Sequence, residues 1–421
     1  MSPAMACKLR VSTGEVKKKR RARDSRIFIT GATGFLGSHI AACLLEQGYR
    51  LTLLVRPKKQ LSPEDRITRL LDWFGVSAGL RKNVRVVRGR VDEPGLGLDG
   101  QASADLVENI DEVIHCASDT SFSERKRASV EGANVSGLRY VLDLAERSGC
   151  FFVHLVSTAY VAGRVSGSCP EALVKPPEFT NVYEETKCRG EWIAWERCRE
   201  TGMRLSIFRP SIVYGHSETG RSLLFNALYY PVRTALFLKN LYEADIKERG
   251  GRKAAEMGIR IESDGGTYMP LRMEVNGSGG INLVPVDFFV RAFAAIMEEA
   301  HEGGIFHIVN NRLNRIEDII AYTKRLFRIR GIEACAAADF VDAPRNSLES
   351  LFETYLEAYG PYIRDLRMFE TEKSGPILAG KNISCPDFNY EIYSRVMTYA
   401  VEAGWGAKLF QEQVRNGTES A

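Results

Sequence analysis

Apolar residues along the chain change period in a regular way. Ile27 to Thr30 is a short β-rich run, and a glycine-rich turn follows it. Leu36, Ile40, Leu44 and Leu45 then recur at helical spacing until Gly48, and Leu51 to Val55 forms a second apolar strand. That β-α-β unit has the length a parallel strand pair needs. Strand-like runs continue with VRVVRG (84–89), EVIHCA (112–117), FFVHLVS (151–157) and LSIFRP (205–210). Helical patterns separate most of them: PEDRITRLLDWFG, NVSGLRYVLDLAERSG and the stretch around position 183. Six such alternations predict an α/β fold with a doubly wound parallel sheet.

The pattern changes near His216. Residues 216–280 hold an aromatic-rich segment and then a Gly- and charge-rich stretch, ERGGRKAAEMG and SDGGTY. INLVPVDFFVRAFAAIMEEA predicts a strand leading into an amphipathic helix, and GIFHIVN (304–310) one more strand. The remainder, 311–421, reads as helices and loops. The expected organisation is a basic tail (1–25), a sheet domain (26–215) with a return segment at about 281–310, and a smaller, mostly helical lobe from 216–280 and 311–421.

Size and composition narrow the function classes. A chain of 421 residues has room for a large core and two lobes, and 44% hydrophobic with 26% charged residues is ordinary for a soluble globular protein. The net charge of +4 gives no case for nucleic-acid binding, and much of it sits in Lys17-Lys18-Lys19-Arg20-Arg21 with Arg23. That run is expected to be a solvated tail, with contact to a membrane surface or another polyanion as the alternative. Nine scattered cysteines without a C-x-x-C pair predict neither a disulfide framework nor a zinc site, and six histidines lack metal-ligand spacing, so no metal is expected. Free thiols, and charges where a signal peptide needs an apolar core, lead to an expectation of cytoplasmic placement, with peripheral membrane association as the variant. The most apolar stretch, SLLFNALYYPVRTALFL (222–238), is broken by Asn226, Pro231 and Arg233 and is too short to span a bilayer.

GATGFLG places glycines at 31, 34 and 37 between the first strand and the first helix. Glycine there permits the tight turn, lets backbone approach a pyrophosphate and lets helix pack on strand, with the helix N-terminus facing the anion. Gly31, Thr33, Gly34, Phe35, Leu36 and Gly37, together with Ala117 after the fourth strand, are therefore expected to border a dinucleotide. The residue ending the second strand bears on the cofactor's ribose. An acidic residue would accept from the 2′-hydroxyl of NAD; here stands Arg56, followed by Lys58 and Lys59, which suits the 2′-phosphate of NADP(H). A solvated basic loop is the alternative. In NVYEETKCRGEW (181–192), Tyr183 and Lys187 lie at i and i+4 on one helical face. The pair is either a surface tyrosine on a lysine stem or a proton donor beside a cation.

The motifs, taken together, resemble those of extended short-chain dehydrogenases/reductases, whose nucleotide-binding domain is Rossmann-type. GATGFLG, HCAS (115–118), NVSG (134–137), LVSTAYVAG (155–163), Y-x-x-x-K (183–187) and RPSIVYG (209–215) occur in that family's order. LLVR after the second strand, Leu-Gly-Leu at 96–98 and Asn-x-Tyr-Glu-x-Thr-Lys at 181–187 are similar to the thioester reductase and fatty acyl-CoA reductase branch. The likeness covers about residues 26–310. It implies that Tyr183 is the general acid/base and that Lys187 lowers its pKa and binds the nicotinamide ribose. It also implies that Thr158, with Ser157 as a nearby substitute, bonds the reacting oxygen. Asn134 is implied as a structural or proton-relay residue, and Pro210 as bordering the nicotinamide. The chemistry is coherent, because hydride arriving at a carbonyl carbon makes an alkoxide that needs donors and then a proton. One departure follows the third strand, where Gly89-Arg90 replaces the family's Gly-Asp; Arg90 is then a candidate for stacking on adenine or assisting the 2′-phosphate.

Ala159-Tyr160 lacks the Asp-Glu pair of the sugar dehydratase branch. The resemblance then implies NADPH-dependent reduction of an acyl thioester, CoA-linked or on a separate carrier protein, to aldehyde or alcohol. The alternatives are a keto/hydroxy oxidoreductase or an epimerase on a lipid-, sterol- or sugar-like molecule, or a non-catalytic NADP-binding scaffold. A homodimer is expected by analogy only. LLFNALYYPVRTALFLKNLY would suit an acyl chain, a membrane surface or plain core.

Overall fold

The computed structural model of the chain describes residues 25–410 apart from 59, 60, 276 and 278, so the basic run at 17–23 lies outside the described residues. In chain order the strands are β1 (Arg26–Thr30), β2 (Arg50–Val55), β3 (Val84–Arg88), β4 (Glu112–His115), β5 (Phe152–Val156), the short β6 (Gly167–Cys169) and β7 (Arg204–Pro210). There follow β8 (Ile212–Tyr214), β9 (Arg260–Ile261), β10 (Thr267–Glu274), β11 (Leu283–Pro285), β12 (Gly304–Ile308), β13 (Ile329–Cys335) and β14 (Arg367–Phe369).

Seven of them form one parallel sheet in the order β12-β7-β5-β4-β1-β2-β3. This is the doubly wound, Rossmann-type arrangement the alternations predict. Its central strands β4 and β5 are buried throughout, as a sheet covered by helices on both faces requires. The chain runs outward from β1 to β3 on one side, then crosses back to β4 on the other. The crevice at the carboxyl ends of β1 and β4 is therefore the topological switch point, where such sheets bind ligands.

Contacts divide the chain into two units. The first takes the described residues up to Ser211, with Phe288–Val309 and Phe369–Ser384; the second takes Ile212–Asp287, Asn310–Met368 and the described residues from Cys385. In the first unit Phe28, Val113 and Val153 of the sheet pack with Val141 and Leu142 of the helix Gly137–Arg147. Arg209 of β7 and Glu191 of the helix Val182–Thr201 form a fully buried ion pair at 2.6 Å. The segment Phe369–Ser384, expected in the other lobe, returns to this unit because the buried carboxylate of Glu171 accepts from the backbone N–H groups of Lys373, Ser374 and His307.

The second unit is mostly helical, as expected, and adds strands the pattern did not show. It contains a three-stranded sheet, β13-β10-β9, with β13 parallel and β9 antiparallel to β10, and β8 pairs with β11. The pattern hid β10 because Pro270 interrupts it. The structure places that proline where the β10–β13 register shifts, between Tyr268 and Leu271, so its missing N–H costs the ladder little. The long helix Tyr229–Arg249 buries Val232, Ala235 and Leu238 in this unit's core, together with Ile320 and Phe352.

Candidate active site

The turn after β1 is shaped by two glycines. Gly31 has φ +78°, and a Cβ there would collide with the backbone of Cys116 and Ala117 after β4; a Cβ on Gly37 would run into the Gly31 carbonyl. The loops after β1 and β4 thus meet at the switch point, with Ala117 against Gly31. Gly34 is the N-cap of the helix Phe35–Glu46. Thr33, Phe35 and Leu36 are partly exposed there and Gly34 fully, so first-turn N–H groups that lack intrahelical acceptors face an open crevice. The donor set fits a pyrophosphate, and it fits the dinucleotide the motif predicts.

At the end of β2, Arg56 is exposed, and a second guanidinium, Arg66 of the helix Pro63–Phe74, reaches it. Arg66 donates to the Arg56 carbonyl and, at 2.9 Å, to Thr33 Oγ1. Among the described residues neither arginine forms an ion pair. Burial, and then the charge of Arg56, both pull Arg66 below the ordinary guanidinium range. Two adjacent guanidinium groups without an ion pair, with Asp92 acting on Arg56 only through space, present a place an anion would relieve. Sequence reading found Arg56 and missed Arg66, because no local spacing ties a helix position ten residues on to the strand end. Arg90 lies differently. It is held by Asp92 at 2.8 and 3.1 Å and by Glu93 at 3.0 Å, and these carboxylates occupy the face it would offer a phosphate.

The helix Val182–Thr201 starts at Asn181, whose side chain caps Glu184 N, and its first two turns carry Tyr183 and Lys187. Tyr183 does not sit on a lysine stem at the surface. Its side chain lies beside that of Thr158, just after β5, and its ring lies 6.1 Å from that of Phe122. Lys187 is buried, and its Nζ donates to the Val156 carbonyl at 2.7 Å. Burial brings the ammonium down to about 8, with Cys116 and Glu191 opposing. The expected depression of the Tyr183 pKa by Lys187 is absent. Burial pushes the phenol above its ordinary range and the neighbouring Thr158 side chain only partly offsets it, while the ammonium is directed at Val156. His115, at the end of β4, bonds Thr30 Oγ1 at 2.8 Å; burial and then the Lys187 charge take its pKa down to about 3, which keeps it neutral.

Asn134 joins the pieces. It lies in a π-helical turn, Gly132–Ser136, a widened geometry frequent at functional sites. Its Oδ1 accepts from Ser118 Oγ and Asp119 N, and its Nδ2 donates to the Asp119 carbonyl and to Thr186 Oγ1. Ser157 is buried, and its Oγ has no partner among the described residues. Pro210 ends β7, and its carbonyl accepts from Thr158 Oγ1 at 3.5 Å. The structure therefore brings Tyr183, Thr158, Lys187, Pro210 and the Asn134 network into one neighbourhood, and the glycine turn into the adjoining crevice through Ala117.

The model of the family described as "Male sterility protein", an NAD-binding family, matches residues 29–293. A linear gramicidin synthase of Brevibacillus parabrevis is 24% identical over 89% of this chain and 7% of its own length. The large chain of the L-2-aminoadipate reductase of Eremothecium gossypii is 30% identical over 47% of this chain and 16% of its own. A Drosophila melanogaster protein described as a candidate fatty acyl-CoA reductase is 27% identical over 46% and 41%. The chain thus spans less than half the length of these curated relatives. Among solved structures, the terminal R domain of the myxalamid PKS-NRPS pathway superposes with a TM-score of 0.68 at 23% identity, covering 90% of this chain and 91% of that one, which shows a shared fold. Motifs, topology and family match converge: the chain belongs to the NAD-binding family described as male sterility protein, with the fold and motif order of extended short-chain dehydrogenases/reductases.

Proposed function

We propose that the chain is an NADP(H)-dependent reductase of acyl thioesters, CoA-linked or carried on a separate protein, giving aldehyde or alcohol. The observation that carries this reading is the placing of Tyr183 beside Thr158, with Lys187 buried one turn on and its Nζ held by the Val156 carbonyl, next to the glycine turn at the switch point. When bound, NADPH would supply hydride to the carbonyl carbon. Thr158 Oγ1 and the Tyr183 hydroxyl are donors toward the oxygen on which charge develops, and Tyr183 delivers a proton to it; the resulting hemithioacetal then breaks its C–S bond, releasing the thiol and leaving the aldehyde, and a second hydride and proton would give the alcohol. A phenol held above its ordinary pKa is fully protonated at neutral pH, which suits the reductive direction. Lys187 serves as a buried cation that holds the ribose and the site's potential. Arg56 and Arg66 favour the 2′-phosphate and so NADP over NAD. Thiolation–reductase and fatty acyl-CoA reductase relatives support a thioester as substrate.

Incubating purified protein with NADPH and a panel of long-chain acyl-CoAs, following absorbance in the NADPH band and products by mass spectrometry, tests the reading. Aldehyde or alcohol from a thioester supports it. NADPH binding without oxidation by any thioester would move the assignment to ketone or hydroxyl substrates.

A further inference from the structure

The helix Tyr229–Arg249 is apolar on two opposite faces, which core packing alone does not demand. Inward, Leu228 before it and Pro231, Val232 and Ala235 on it line an apolar cavity of about 70 Å³ closed by Ile320 and Phe352. One water needs only about 10–15 Å³. Outward, Phe237 is 53% and Leu241 45% exposed, and Leu224 just before the helix is 42% exposed. Arg233, Phe237 and Leu241 stand at i, i+4 and i+8, so they form one stripe along the helix.

The exposed charges near this face are mostly cationic, with Glu248, seven residues beyond Leu241 on the same face, and Glu256 as the acidic exceptions. Glu243 is turned to Lys239, Lys247 and Thr267, and Asp245 is buried, accepting from Ala254 N. Arg233, Arg249, Arg252 and Lys253 are exposed and form no ion pair among the described residues. Exposed aromatic and aliphatic side chains flanked by uncommitted cations match an anionic lipid interface, where apolar groups enter the headgroup boundary and cations meet phosphates. No described helix is long and apolar enough to cross a membrane, so the helix would lie on the surface.

We propose that the Arg233–Phe237–Leu241 face docks this chain on an anionic phospholipid bilayer. This goes beyond the reductase reading and does not depend on turnover. The test is co-sedimentation of the full chain with phosphatidylcholine vesicles, with and without phosphatidylglycerol. It compares the native chain, the Phe237→Ser/Leu241→Ser double variant and Arg233→Glu. The expected result is binding that requires phosphatidylglycerol and falls by about tenfold or more in either variant, with the chain still folded at the assay temperature because the substituted side chains are about half exposed. No sedimentation of the native chain would overturn the proposal. Sedimentation unchanged in both variants would do the same, leaving the basic run at 17–23 as its source. A concentration-dependent dimer that the double variant dissolves, with vesicle binding intact, would assign the face to a second copy instead.

Discussion

Asn134 Nδ2 donates at 3.0 Å to the carbonyl of Asp119 and at 3.0 Å to Thr186 Oγ1. One buried amide thereby fixes the loop after β4 to the helix that carries Tyr183 and Lys187. Asn134→Ala strands the N–H of Asp119 and the hydroxyl of Ser118, and it is expected to destabilise the fold by about 2 kcal/mol in urea unfolding. At a temperature where the variant is folded, kcat should fall more than the cofactor Kd rises.

Arg66→Ala removes a guanidinium that has no carboxylate to release. Loss of a charge-assisted bond to a phosphate is worth about 1.5–3 kcal/mol, so the Kd for NADP should rise about tenfold to a hundredfold. The Kd for NAD should change little. Fluorescence titration with both nucleotides separates this from general damage to the crevice.

Lys187 gives two pH dependences of opposite sign. Burial lowers its pKa from 10.5 to about 8, so above that pH the folded chain loses a proton the unfolded chain keeps until about 10.5. The residue's contribution to stability therefore rises with pH across that window. Activity that needs the ammonium falls across the same window. Paired pH profiles of melting temperature and kcat, with Lys187→Met as the reference, check both signs.

Breaking the buried Arg209–Glu191 pair should be costly in one way and mild in another. Arg209→Met leaves the Glu191 carboxylate without its guanidinium, for an expected loss of about 3–5 kcal/mol; adding Glu191→Leu should recover much of it. Chemical denaturation of the two variants measures the difference.

Much of this architecture was legible in the chain. The alternation of β-rich runs with helical periods yields the strands of the sheet in order, because parallel strands buried on both faces must be apolar throughout. GATGFLG marks the switch-point turn, since only glycine fits where Gly31 meets Ala117 and Gly37 meets Gly31. What escaped depends on contacts distant in sequence. Pro270 masks β10, whose pairing with β13 is set by a register shift. The return of Phe369–Ser384 hangs on the Glu171 carboxylate. Arg66 joins the cation cluster only through helix placement. The Tyr183 pKa was expected to fall because Lys187 is one turn away, but sequence spacing gives neither burial nor the direction in which an ammonium points.

The central claim is that Tyr183 delivers the proton in reduction of an acyl thioester. Tyr183→Phe keeps the ring against Phe122 and deletes only the hydroxyl, so turnover of a reactive acyl-CoA with NADPH should fall at least about a hundredfold, in keeping with the contribution of positioned acid catalysis. NADP binding should be retained. Turnover within a few-fold of the native chain would contradict the account and place the proton donor elsewhere.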